Sequence, residues 1–316
     1  MNRTAEAVFS GAKSQFTHDL RRSGEVAPAA ADGCFAGSRR WTGAAAAAVV
    51  ALSAAQAQAQ PLPWEMGLQP AATPVMANVH AFHDALLVLM ALISGLVLVL
   101  LVYVITRFNA AANPVPTRTT HNTLVEVVWT VVPVVILIAI AIPSFRLLYF
   151  QREIPKADMT LKITGNQWNW TYDYPDNGAI NLTAFVKQRA ELKEGEPYLL
   201  TADTPTVVPV DKTVRIIVTA SDVIHSWAMP AFGVKIDAVP GRLNEDWFKA
   251  EKVGTYYGQC SELCGKDHAF MPIMVQVVPE ADFNAWAAKA KAAGVEEARK
   301  LLAARLATSG IVAASD

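Results

Sequence analysis

The 316-residue chain is poor in cysteine, with only three, and none of them lies in a CxxCH. The absence of that pattern excludes covalent attachment of a c-type haem to this chain. Three cysteines cannot build a disulfide framework either, so the close pair Cys260 and Cys264 needs a local explanation. Charge of one sign is also lacking. With 27 Lys and Arg against 28 Asp and Glu, the formal net charge is -1, and the basic residues are scattered rather than clustered. A polycationic surface for nucleic acid is thereby excluded. No internal repeat is evident. What the chain has in quantity is apolar residues, 53% of the total, in a length that suits two modest domains or one domain with a membrane attachment.

The apolar residues are unevenly placed. "RRWTGAAAAAVVALSAAQAQAQ" sets Arg39 and Arg40 before a short apolar run and a small-residue site at Ala57 and Ala59, the layout of a secretory signal. Residues 1–59 are expected to be a targeting segment removed after Ala59, taking Cys34 with it; the alternative is a disordered tail with an Ala-rich helix. Residues 85–106 and 127–145 then form two uncharged runs, bounded by Asp84 and Arg107 and by Glu126 and Arg146. Each is long enough to cross the roughly 30 Å hydrocarbon core as a helix, and spanning helices tolerate prolines such as Pro133 and Pro143. Arg107 and Arg118 in the connecting loop place it in the cytoplasm, although Arg146, Arg152 and Lys156 weaken the asymmetry. Residues 60–150 therefore read as a transmembrane hairpin, with everything after them outside the inner membrane. A pair of buried core helices in a soluble protein is the bland alternative.

From residue 159 the pattern changes to short β-prone runs, "MTLKITG", "QWNWTYDY", "TVRIIVTA" and "MPIMVQVVP", separated by turn formers such as "YPDNGA" and "KEGEP". This is the rhythm of an antiparallel sandwich or barrel over residues 151–280. Residues 281–316, rich in helix formers, are expected to add one or two surface helices.

The chemistry concentrates in "YYGQCSELCGKDHAFMPIMV". Cys260, Cys264, His268 and Met271 follow one another at intervals of four, four and three, and "SDVIHSW" supplies His225 upstream. Two thiols, two imidazoles and a thioether make a soft set that suits copper far better than calcium or magnesium. A structural zinc site would use the same Cys and His residues and have no need of methionine. A Cys260–Cys264 disulfide is the third reading, since an exported domain meets an oxidising compartment.

Over nearly all of residues 75–280 the chain resembles subunit II of the haem-copper cytochrome c oxidases, of the bacterial aa3 type. The resemblance rests on "LVEVVWTVVPVVILIAIAIPSFRLLY", "GNQWNWTYDY", "DVIHSWAMPAFGVKIDAVPGRLN" and "GTYYGQCSELCGKDHAFMPI". It implies a two-helix hairpin in the bacterial inner membrane carrying an exported, cupredoxin-like all-β sandwich on the periplasmic side. It further implies a dinuclear copper centre, CuA. Cys260 and Cys264 match the bridging thiolates, His225 and His268 the terminal imidazoles, Met271 the thioether ligand, and Glu262 the residue whose backbone carbonyl reaches one copper.

By the same resemblance, the Glu262 carboxylate helps bind magnesium shared with the catalytic subunit. Trp168 matches the aromatic through which electrons arrive from cytochrome c, Asp222 and Asp173 match acidic positions of the docking face, and Glu126 matches a glutamate at the entrance of a proton pathway. The implied function is to accept electrons from cytochrome c and pass them to the haem-copper subunit I of a proton-pumping oxidase that reduces O2 to water. Subunit III is among the implied partners, and this chain itself carries no haem. The competing class is non-enzymatic, an anchored copper-delivery or zinc-structured protein.

Overall fold

The computed structural model describes residues 60–308 apart from Pro63 and Pro116, so the expected targeting segment 1–59, with Cys34, lies outside the described residues. Two helices come first, α1 (Pro74–Arg107) and α2 (Thr123–Arg152). Each starts where a side chain satisfies a free amide: Thr73 accepts from the Met76 N–H with proline at the first helical position, and Asn122 accepts from the Val125 N–H. At 1.5 Å per residue they are about 51 Å and 45 Å long, well over the hydrocarbon thickness. Both expected spans fall inside them, and the most apolar stretch of each is wholly unburied, as befits a surface meant for lipid or neighbouring helices.

The surplus length is used outside the membrane. The Ala72 amide donates to the Ala231 carbonyl at 2.9 Å, and the Thr73 hydroxyl donates to the Phe232 carbonyl at 2.7 Å. At the far end of α2, the Trp247 indole N–H donates to the Gln151 carbonyl at 3.1 Å while Phe150 meets the Trp247 ring edge-on. The outer ends of both helices are thus tied to the β domain by polar contacts, buried at α1 and part-buried at α2.

That domain is a sandwich of two five-stranded sheets. One contains β1 (Met159–Asn166), β2 (Asn169–Tyr174), β3 (Ile180–Ala184), β5 (Thr213–Ala220) and β8 (Asn244–Lys249) in the order β3-β2-β1-β5-β8. The other contains β4 (Thr206–Pro209), β6 (His225–Met229), β7 (Val234–Ala238), β9 (Gly254–Cys260) and β10 (Pro272–Val278) in the order β4-β10-β9-β6-β7. Alternating burial in β1, β2 and β5 turns Leu161, Ile163, Trp170, Tyr172, Ile216 and Val218 into the shared core. The expected all-β sandwich is present, and its strand pairing differs from the antiparallel expectation at two places: β1 pairs with β5, and β4 with β10, in parallel. Parallel partners need long crossovers, and β-prone runs with turn residues reveal that strands exist but not which distant strand each one joins.

The C-terminal segment folds as α3 (Glu280–Ala293) and α4 (Val295–Thr308), meeting at Gly294. The pair is more than a surface decoration. Phe283, Trp286, Ala298, Leu302 and Leu306 are buried in the same core as the strands, and Trp286 packs 5.2 Å from the Tyr174 ring. Asp282, also buried, takes the Arg305 Nε–H at 2.6 Å, joining the two helices. Trp286→Ala is expected to destabilise the domain by about 3–5 kcal/mol, the usual cost of emptying a buried aromatic site. Denaturant unfolding checks this; an unchanged midpoint would mean the helices are peripheral.

Candidate metal centre

Three segments converge at one end of the sandwich. His225 is the first residue of β6, Cys260 is the last of β9, and Cys264, His268 and Met271 lie in the connection from β9 to β10. His225 therefore stands on a strand end rather than in a loop, with the Ser261 amide donating to the Ser226 carbonyl at 3.0 Å to hold β6 against the start of the β9–β10 connection. The cysteines are free thiols, which removes the disulfide reading, and their sulfurs lie 3.9 Å apart. His225 Nδ1 is 3.9 Å from Cys260 Sγ, and His268 Nδ1 is 3.4 Å from Cys264 Sγ. Met271 Sδ approaches Cys264 Sγ at 3.5 Å, and the Glu262 carbonyl lies 3.4 Å from Cys260 Sγ. The two thiols thus occupy the middle, with one imidazole at either end. His225, Cys260, Cys264 and Met271 are buried, His268 is half-buried, and the Glu262 side chain is exposed.

The orientation of His225 is set from behind. Its Nε2–H donates to Asp222 Oδ1 at 2.9 Å, which leaves the Nδ1 lone pair facing the sulfurs. Asp222 is itself held by the amides of Val223 at 2.6 Å and Gln167 at 2.7 Å. Burial opposes the Asp222 charge, but these three donors more than compensate and keep its carboxyl below the usual range. Trp170 closes another side, its ring edge-on to His225 and its indole N–H donating to the Met271 carbonyl at 3.2 Å. Gly165 of β1 passes so close that a Cβ there would lie 2.9 Å from the His225 ring, so only glycine leaves room for the imidazole.

Burial disfavours both thiolates, and the consequences differ. Beside His225 and the backbone of Ser226 and Glu262, Cys260 is brought down to about 7. Burial, and then the negative charge on Cys260, push Cys264 up to about 12. Two neighbouring buried thiolates repel each other, and a bound cation between them would relieve that repulsion. Among the described residues, the ligand atoms of His225, Cys260 and Cys264 lie within 4.8 Å of one another, an arrangement suited to a metal ion. A thioether in van der Waals contact with one of those sulfurs favours copper over zinc.

The remaining residues singled out from sequence lie at varied distances from this cluster. Trp168, at the turn between β1 and β2, is half-buried, and its indole N–H donates to the Cys264 carbonyl at 3.3 Å. Asp173 projects from the outer face of β2, where it pairs with Lys162 at 3.6 Å and takes the Asn181 amide. Glu126 sits in the first turn of α2, with one carboxylate oxygen accepting from the Asn122 amide at 3.2 Å. Two contributors escaped the sequence reading. Gln167 Nε2 donates to the Cys264 carbonyl at 2.9 Å, and Trp170 braces His225 and Met271. The alternation of Trp170, Tyr172 and Tyr174 along β2 was the available signal, since a period of two turns all three to the same, buried face.

Two membrane-length helices bearing an all-β domain with a buried His/Cys/Cys cluster define a membrane-anchored, cupredoxin-like electron-transfer protein. Residues 159–278 match the family model for the cytochrome c oxidase subunit II periplasmic domain, and residues 61–147 match that for its transmembrane domain. The probable cytochrome c oxidase subunit 2 of Rickettsia bellii (strain RML369-C) is 51% identical over 245 residues, spanning 77% of this chain and 91% of that protein. Cytochrome c oxidase subunit 2 of Cereibacter sphaeroides is 45% identical over 272 residues, 79% of this chain and 90% of that one. The crystal structure of the periplasmic domain of subunit II of the Bradyrhizobium japonicum cytochrome oxidase is 57% identical, covering 44% of this chain and 97% of that domain with a TM-score of 0.42. The chain belongs to the cytochrome c oxidase subunit II family. It is a multi-pass inner-membrane subunit of that oxidoreductase complex, with an electron-transfer role in the respiratory chain and an exported copper domain.

Proposed function

We propose that His225, Cys260, Cys264, His268 and Met271, with the backbone carbonyl of Glu262, hold a dinuclear copper centre of the CuA type. The observation that carries this is the order of donors: two thiol sulfurs 3.9 Å apart, flanked by His225 Nδ1 on one side and His268 Nδ1 on the other. Bound there, a copper pair supplies one-electron redox chemistry with the charge spread over two metals. The chain's own contribution is a rigid, largely dry setting. Asp222 fixes the tautomer of His225, Trp170 and Gly165 fix its ring position, and Gln167 and Trp168 clamp the Cys264 carbonyl.

Cytochrome c is the proposed donor and Trp168 the residue nearest its approach. The half-exposed indole is one hydrogen bond from the backbone of a cluster cysteine, a short route from the surface. Asp222 orients His225 first, yet its side chain keeps 32% exposure and contributes negative charge to the same face. Asp173, paired with Lys162 on the outer side of β2, is the second acidic position proposed for docking; unpaired acidic charge on a docking face would steer a basic partner at low ionic strength. The proposed assembly includes the haem-copper subunit I, to which reduction of O2 to water and proton pumping belong, and subunit III. Within it, the exposed Glu262 carboxylate would take part in a magnesium site facing the catalytic subunit, and Glu126 would stand at the entrance of a proton pathway on the cytoplasmic side.

Asp222→Ala leaves every proposed ligand in place and removes the acceptor behind His225. Copper affinity, read by competition titration, is expected to fall roughly 10- to 100-fold, as it does when outer partners of ligating histidines are lost. An unchanged affinity would mean that Asp222 does not support His225 as a ligand.

A further inference from the structure

Between α1 and α2 lies a cavity of about 770 Å³ that electron transfer does not use. Its walls include Ala81, Ala85 and Leu89 on one helix and Ile136, Ala139 and Pro143 on the other; Asn78 and Arg146 line its outer part, and Phe150 lies beyond them. Ala81, Ala85 and Ala139, set among larger side chains such as Phe82 and Ile140, leave the space between the helices open. We propose that this groove is a binding site for one phospholipid of the outer leaflet with an anionic headgroup, its acyl chain between the helices and its phosphate on Arg146.

The depth of the groove selects a lipid over a partner helix. From Ile136 to Arg146 the helix rises about 15 Å, half of the roughly 30 Å hydrocarbon core. Ile136 is also the midpoint of the apolar run 127–145. The part of the groove within the hydrocarbon therefore runs from Arg146 to the bilayer centre and stops there, the reach of a single leaflet, with Leu147 and Phe150 continuing its lining outward. A transmembrane helix of another subunit would need a track through both leaflets.

Charge selects the headgroup. Arg146 follows directly on the apolar run, and the ion pairs among the described residues do not include it. Asn78 already donates to the Pro74 carbonyl, so the guanidinium is the cation at this end of the groove. Its planar fork matches a phosphate with two parallel hydrogen bonds.

The test uses the intact oxidase in nanodiscs containing phosphatidylglycerol with a photoactivatable acyl chain. After irradiation, labelled peptides are located by mass spectrometry. Label is expected on residues 81–89 and 136–147, displaced by excess phosphatidylglycerol but poorly by phosphatidylcholine. Arg146→Gln should reduce it about fivefold, the factor for one basic residue at an anionic membrane surface. The double change Ala85→Leu and Ala139→Leu should remove it by filling the groove, and copper content of the same samples reports that the chain remains folded. Equal competition by both lipids, or label indifferent to Arg146→Gln, overturns the headgroup assignment. Absence of label from both peptides in the wild-type complex shows that another subunit fills the groove and overturns the site altogether.

Discussion

Cys264→Ser is expected to abolish the dinuclear centre while leaving the fold intact. Cys264 is the hub of the cluster, with Cys260 Sγ, His268 Nδ1 and Met271 Sδ at 3.9, 3.4 and 3.5 Å from its sulfur. A serine hydroxyl is harder and far less acidic than a thiol, and it offers copper neither a soft donor nor ready deprotonation. The loss should exceed the roughly 10- to 100-fold expected for a residue that only supports a ligand. Folding should survive because the contacts made by residue 264 to Gln167 and Trp168 run through its carbonyl, which the substitution retains. Metal analysis and circular dichroism on one sample separate the two effects. A Cys264→Ser chain that still binds two coppers would exclude this residue as a bridge.

Gly258→Ala should impair stability and the metal centre together. A Cβ at this position would lie 2.0 Å from the Ala228 carbonyl oxygen and 3.1 Å from its carbon, both backbone atoms of β6. Rotamer changes cannot relieve such a clash; β6 and β9 must part by about an ångström. Overfilling a packed interior commonly costs about 1–3 kcal/mol, and a backbone obstruction belongs at or above the upper end. The damage would also reach the metal centre, because β6 begins with His225 and β9 ends with Cys260, two residues beyond the substitution. Denaturant unfolding and copper titration should therefore both be impaired. Gly95→Ala, on α1 with open space around it, is the control and should leave both unchanged. If Gly258→Ala unfolds at the wild-type midpoint, the close approach of the two strands is not what holds the halves of the site together.

The membrane hairpin was legible because a helix in lipid satisfies its own backbone, so an apolar run of sufficient length specifies it without tertiary information. Apolarity alone set the start of the first span at residue 85, whereas α1 begins at Pro74, as its Thr73 cap indicates. Those added turns pack on the β domain, and Val75 and Met76 are buried there. The donors within residues 260–271 were legible because they are local in sequence and chemically unusual. His225 is 35 positions upstream of Cys260, and sequence could name it as a candidate donor by its chemistry while its place beside the sulfurs follows from β6 pairing antiparallel with β9. Gln167 and Asp222 lay deeper still. Their roles arise because the β1–β2 turn meets the start of β6, a contact between residues 55 apart that no local pattern encodes. The same limitation hid the parallel strand pairs and the burial of Trp286 against Tyr174.

The proposed copper centre is tested most directly by the copper-to-protein ratio of the purified full chain in detergent, with an electron paramagnetic resonance spectrum of the same oxidised sample. Two coppers per chain sharing one unpaired electron is the predicted result. One copper with a mononuclear spectrum, or bound zinc in its place, would contradict it.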